Sequence, residues 1–219
     1  DRITQTDRKD TNSGGNLIGR STAAYDSLGR AYQQTTYAVN PSTGAVGNPL
    51  TTSTWYDPVG RVMKQINAGD GLVATKNAYN AIGWKTATYR SYYSGSPSYS
   101  EAGTVSGDIV VEQAQFTHDD AGNVISTASA QRLNDTPDSG TGSAGALTAG
   151  TQPKGRISYA ASWFDGIGRT ISSANYGSIT SFTRPSTPPA RSDTILVTST
   201  DYDDAGRAYQ ITDPKAIVA

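Results

Sequence analysis

The 219 residues hold 18 Lys and Arg against 19 Asp and Glu, so there is no basic field to attract nucleic acid or an anionic membrane surface. Cysteine is absent, which excludes disulfides and thiolate metal sites, and no stretch approaches the roughly 20 apolar residues of a membrane-spanning helix. Only 35% of the chain is hydrophobic, with 13 Tyr against 3 Phe and 1 Met, and this thin apolar supply amid Ser, Thr, Gly and Ala is a strand-and-turn composition.

A hexapeptide of the form aromatic-Asp-x-x-Gly-Arg recurs along the chain. The first copy is Tyr25-Asp26-Ser27-Leu28-Gly29-Arg30 and the second Tyr56-Asp57-Pro58-Val59-Gly60-Arg61. The third and fourth are worn: Tyr79-Asn80-Ala81-Ile82-Gly83-Trp84 and His118-Asp119-Asp120-Ala121-Gly122-Asn123. Phe164-Asp165-Gly166-Ile167-Gly168-Arg169 and Tyr202-Asp203-Asp204-Ala205-Gly206-Arg207 complete the set. Each reads as a hairpin turn. The Asp or Asn bonds the backbone two residues on, and the Gly three residues later accepts a positive φ, which predicts a type I turn closed by a left-handed Gly with a bulge.

The flanking segments alternate with period two and read as strands. Before the fifth turn, Ile157, Tyr159, Ala161 and Trp163 share one face, and Arg156, Ser158 and Ser162 the other; Ile171 continues the apolar face afterwards. The run Ile195-Leu196-Val197-Thr198-Ser199-Thr200 is apolar on both faces at its start and is expected among the best-buried strands. Return turns are expected at Asn40-Pro41-Ser42-Thr43-Gly44, Ala68-Gly69-Asp70-Gly71 and Ser94-Gly95-Ser96-Pro97. Residues 134–155, with only Leu147 to bury, and the proline-bearing stretch 183–193 read as exposed loops inside a single 1–219 array. The fold class predicted is all-β: an array of antiparallel hairpins forming a continuous twisted or spiralling sheet with almost no helix.

These hexapeptides resemble the YD repeat of the RHS family, which includes shell components of insecticidal toxin complexes and the animal teneurins. The match runs from residue 25 to about Pro214, where Asp213-Pro214 looks like the Asp-Pro element that follows a YD turn, although Ala216 stands where Gly is usual. The resemblance implies successive hairpins joined edge to edge into a spiralling strip that can close around cargo. Trp84, His118 and Asn123 depart from the pattern, as do the uneven intervals of 31, 23, 39, 46 and 38 residues between motif aromatics.

The repeated Asp and Arg residues (Asp26, Asp57, Asp165 and Asp203 with Arg30, Arg61, Arg169 and Arg207) would suit acid chemistry or anion binding, but hairpin geometry already accounts for them. The Arg is instead expected to lie across the preceding aromatic ring or to bond an adjacent turn. His118 is the only histidine and occupies an aromatic slot, so it reads as a substitute for Tyr rather than a catalytic base. Asp201, Asp203 and Asp204, or Asp119 and Asp120, offer oxygens to calcium without any calcium-loop pattern. Tyr92, Tyr93 and Tyr99 are candidates for stacking on sugar rings, whereas Trp55, Trp84 and Trp163 read as core anchors. Asn134-Asp135-Thr136 fits the N-glycosylation pattern.

The reading is a non-catalytic structural segment of a secreted or cell-surface bacterial protein, a fragment of something larger, with no cofactor and no metal. Its expected partners are copies of itself or adjacent repeats, with glycans a further class. Nucleic acid and membrane insertion are not expected. The alternatives are a wall segment of an RHS-type toxin shell and a carbohydrate-binding adhesin.

Overall fold

Five-residue connections that begin with Asp or Asn and carry Gly at the fourth position turn the chain back on itself, and the Thr-, Val- and Tyr-rich segments between them pair as strands. The computed structural model describes residues 2–11, 14–93, 99–134, 144–148 and 154–213. In chain order the strands are β1 (Gln5–Lys9), β2 (Leu17–Tyr25), β3 (Ala31–Val39), β4 (Val46–Tyr56), β5 (Val62–Ile66) and β6 (Val73–Tyr79). After β7 (Lys85–Tyr92) comes a four-residue helix, α1 (Tyr99–Ala102). The remaining strands are β8 (Ile109–His118), β9 (Val124–Arg132), β10 (Gly155–Phe164), β11 (Thr170–Gly177), β12 (Leu196–Tyr202) and β13 (Ala208–Thr212).

Sheet order is sequence order throughout the thirteen strands. The pairs from β1–β2 to β5–β6 and from β8–β9 to β12–β13 are antiparallel. Among the described residues, no helix is long and apolar enough to cross a membrane.

The chain divides into two compact units, one of Asp1–Asn77 with Arg90–Ile109 and one of Ala78–Tyr89 with Val110–Ala219. Strands β6, β7 and β8 contribute residues to both.

In the second unit the core is apolar: Ala161, Trp163, Ala174 and Val197 are buried, with Ile171, Tyr176, Phe182 and Ile195 packed against them. Ala161 pairs with Ala174, and Ala174 with Val197, so three adjacent strands put small or branched side chains under one tryptophan. The alternation predicted for β10 places Ile157, Tyr159, Ala161 and Trp163 on its more buried face. The run beginning at Ile195 differs from expectation. Val197 is buried but Leu196 is 49% exposed, because only one face of β12 is covered.

The two long loops are less exposed than their composition suggests. Within 134–155, the described residues 144–148 turn back onto the sheet and Leu147 is fully buried; Gln113 accepts from its N–H at 2.7 Å and donates to Thr148 Oγ1 at 3.0 Å. One apolar side chain and one buried amide suffice to anchor this stretch, since both amide atoms are satisfied. Ahead of and within 183–193, Phe182 packs on Tyr159 and Tyr176 with ring centroids 5.1 and 4.7 Å away. Arg184 lies 4.9 Å over the Trp163 ring, and the Trp163 indole donates to Pro185 O at 3.1 Å. The proline-bearing stretch stays out of the sheet as predicted but part of it covers the core.

The expected return turns form at 40–45, where Gly44 N donates to Asn40 O at 2.8 Å, and around 67–73, where Asp70 N donates to Asn67 O at 3.1 Å. The third, at Ser94-Gly95-Ser96-Pro97, lies outside the described residues, as do Pro214 and Ala216.

Candidate functional site

The repeated turns share one internal geometry. In the first, Asp26 Oδ1 accepts from Leu28 N at 3.0 Å and Arg30 N at 2.9 Å, and Oδ2 accepts from Arg30 Nε at 2.6 Å. The backbone closes with Gly29 N donating to Asp26 O and Asp26 N to Arg30 O. The six motif glycines all have φ between 79° and 98°, a region that penalises any Cβ. In the turns at residues 25, 56, 118, 164 and 202 the ladder register slips by one at the motif aromatic, which is the bulge such a loop requires.

The arginine N–H and guanidinium hold the carboxyls of Asp26, Asp165 and Asp203 below the usual carboxylate range. At Asp57 burial pushes the other way but the same Arg61 contacts outweigh it, and at Asp119 the Asn123 side chain takes the arginine's part. In the worn third turn, Asn80 Oδ1 accepts from Trp84 N at 2.9 Å.

The arginine does not lie on its own motif's aromatic. It reaches forward to the next one. Arg30 sits 4.9 Å over the Tyr56 ring and donates to Asp57 O at 2.7 Å; Arg169 sits 4.3 Å over Tyr202. Of the two expected contacts, the one with the preceding ring is not made and the bond to an adjacent turn is: the turn points the guanidinium, already fixed by its own Asp, at the neighbouring hairpin. The tyrosine answers in the reverse direction. Tyr56 OH donates to Ala31 O and Tyr202 OH to Thr170 O, each at 3.0 Å, the carbonyl just after the arginine that covers it. Arg2 and Ile3 stand in the same relation to Tyr25, with the guanidinium 5.6 Å over the ring and Tyr25 OH donating to Ile3 O at 3.0 Å.

The worn third motif keeps the forward contact in altered form, and the fourth loses it. Trp84, in an arginine slot, packs at a tilt against His118, in the next aromatic slot, with ring centroids 5.3 Å apart. The two substitutions are neighbours, which sequence alone does not disclose. Gly122 lies against the same indole, where an added Cβ would fall 3.0 Å from Trp84 Cζ2. Asn123 turns instead to its own Asp119 Oδ2 at 2.9 Å, and Phe164 has no hydroxyl to give.

These contacts also place the other candidates. Asp119 and Asp203 are engaged by their own turns, and among the described residues no group of three or more His, Cys, Asp or Glu is gathered as a metal site. Tyr92 and Tyr99 are 51% and 55% exposed, whereas Tyr93 is half-buried with its ring centre 3.5 Å from Lys64 Nζ. Trp163 is buried; Trp55 and Trp84 are half-buried. Asn134 is exposed, and Asp135 and Thr136 of its sequon lie outside the described residues.

A second cluster, in the first unit, was not anticipated from the sequence. Lys64 and Lys76 are 0% and 2% exposed, and α1 lowers Glu101 between them so that each ammonium meets one carboxylate oxygen. Lys76 Nζ also meets Asp108 Oδ2 at 2.8 Å, Glu101 O at 2.9 Å and Thr104 O at 2.8 Å, and the buried Ser91 hydroxyl donates to Asp108 Oδ2 at 2.7 Å. Lys64 lies 5.0 Å from the Trp55 ring as well as against Tyr93. Burial pulls the Lys64 ammonium below its ordinary value. Glu101 is pushed up by burial, but its two lysine partners outweigh that and hold it low. The one local signal was a lysine at an inward strand position: Lys76 follows the buried Ala74 by two residues on β6.

No protein-family model and no curated protein matches the sequence. Among solved structures it is similar to a crystal structure of TcdB2-TccC3 without the hypervariable C-terminal region, at 13% identity and a TM-score of 0.36 over 94% of this chain. It is similar to TcdB2-TccC3 itself at 13% identity and a TM-score of 0.28 over 97% of this chain, and to a porin-like protein from Bacteroides uniformis at 11% identity and 0.19 over 96% of this chain and 94% of that one. Nearly the whole of this chain therefore aligns with a small part of TcdB2-TccC3, 11% of one chain and 13% of the other.

Proposed function

We propose that this chain is a non-catalytic structural segment of a secreted or cell-surface bacterial protein, building an extracellular surface or filament by edge-to-edge addition of hairpins. The observation that carries the reading is a forward contact from an arginine to the tyrosine of the following turn. It recurs at Arg2–Tyr25, Arg30–Tyr56 and Arg169–Tyr202, and it fastens neighbouring hairpins to each other instead of building a pocket. The outermost strands fit such growth: β1 is exposed along its length and β13 over four of its five residues. The Arg207 side chain, 80% exposed, is offered to whatever strand next adds a tyrosine. That strand would come from an adjacent repeat or from another copy.

The test is negative-stain electron microscopy with light scattering over a concentration series. Regular filaments of folded β subunits are the expected result, and a monodisperse monomer at every concentration sinks self-assembly. The second reading, a wall segment of an RHS-type toxin shell, rests on the resemblance of the hexapeptides to YD repeats and on the same forward contact; it predicts hollow particles in place of filaments.

A further inference from the structure

The charged cluster around Lys76 has no part in the turn ladder, and its composition is unusual for a structural ion pair. Two buried ammonium groups and the buried Asp108 carboxylate share one site with the Glu101 carboxylate, whose side chain is 17% exposed, a costly arrangement because each buried charge loses its water. Four oxygens, from Glu101 Oε1, Glu101 O, Thr104 O and Asp108 Oδ2, face the three N–H bonds of a single ammonium. We propose that Lys76 and Asp108 condense into an intramolecular amide between Lys76 Nζ and Asp108 Cγ, with Glu101 as the catalytic proton carrier.

In water this condensation does not run, because the amine is protonated and the carboxyl ionised. In a dry site, transfer of one proton from the ammonium to the carboxylate removes both charges and yields a nucleophilic amine beside a neutral acid. Lys76 Nζ and Asp108 Oδ2 are 2.8 Å apart, and Cγ is one bond from that oxygen, so the reacting atoms are already held in contact. The nitrogen lone pair attacks Cγ and the carbonyl π electrons move to oxygen. Glu101, bonded to the same nitrogen, accepts a proton from it and returns that proton to the hydroxyl leaving Cγ. One C–N bond forms, one C–O bond breaks, and one water departs with no change of oxidation state. The Ser91 hydroxyl steadies the Asp108 oxygen throughout. Afterwards Lys64 and Glu101 remain as a one-to-one pair, and a covalent bridge ties β6 to the segment leading into β8.

The experiment is intact-mass spectrometry of the folded 219-residue chain, followed by peptide mapping. The expected result is a mass one water below the sequence mass and a branched peptide joining the Lys76 and Asp108 segments. Lys76→Arg, Asp108→Ala and Glu101→Gln should each return the full mass. Folded wild-type protein that keeps the full mass after prolonged incubation at neutral pH overturns the proposal. So does a lost water that maps to a cyclic imide at Asp70-Gly71. A Glu101→Gln chain as completely bridged as wild type removes Glu101 from the reaction. The wild-type measurement decides the bond whether or not the variants fold.

Discussion

The two units meet the same shortage of apolar side chains in opposite ways. Among the described residues of the first, the buried apolar side chains are Ala74 and Ala102, and the space beside them is filled by Lys64, Lys76, Asp108 and Ser91. The second buries Val110, Leu147, Trp163 and Val197 with several alanines, and its buried polar residues are Gln113 and Ser172. A core of paired charges tolerates the loss of a whole neutralised pair but not of one partner. A core around one large aromatic depends on that ring.

The largest effects should come from striking each core at its own support. Glu101→Ala leaves two buried lysines with only Asp108 between them and should cost about 3–5 kcal/mol, read as accelerated amide exchange in β5 and β6. Trp163→Ala should cost a similar ~3–5 kcal/mol, with the faster exchange in β10 and β11. If Glu101→Ala leaves exchange in β5 and β6 unchanged, the charges are passengers and the contrast fails.

Smaller effects should separate ladder contacts that are made from those that are not. Arg169→Ala loses the stack on Tyr202 and should lower stability by about 1 kcal/mol, whereas Arg207→Ala, at a side chain 80% exposed, should stay within about 0.5 kcal/mol in urea unfolding. Equal losses would mean that the arginine acts only through its own Asp.

The pH response should be the mildest and common to both units. The turn carboxyls Asp26, Asp57, Asp119, Asp165 and Asp203 have folded pKa values below their ordinary ones, so the folded state binds fewer protons than the unfolded state. Their contribution is complete above the ordinary carboxylate value of about 4 and is lost as pH falls through the lower folded values. Melting temperature should be flat from neutral pH to about 5 and decline below about 4. Glu101 adds to the decline in the first unit. A steady fall beginning near neutrality would contradict the lowered values.

What could be read from the sequence was local. Asp26, Gly29 and Arg30 belong to one turn within six residues, and their chemistry identifies the turn wherever it recurs. Period-two alternation likewise located the inward face of β10. What could not be read needed partners distant in the chain. Lys64, Lys76, Glu101 and Asp108 arrive from two strands, a single helical turn and the approach to β8, and no spacing between them marks a site. The direction of the arginine is of the same kind, since which ring it covers depends on the neighbouring hairpin. Leu147 and Leu196 mislead because burial follows what is laid over a strand: Leu147 is fully covered, while Leu196 on the outer face of β12 stays half exposed.

All six connections at the motif end of the hairpins span five residues, 26–30, 57–61, 80–84, 119–123, 165–169 and 203–207. Those at the opposite end run from six residues at 40–45 and 67–72 to 22 at 133–154. Four of the six connections therefore carry an arginine and an aromatic at constant spacing, a plug and a socket, and the hairpins keep their variable length at the far end. Over evolutionary time whole hairpins can be duplicated, deleted or lengthened without disturbing that spacing, whereas gain or loss of a single strand disturbs it.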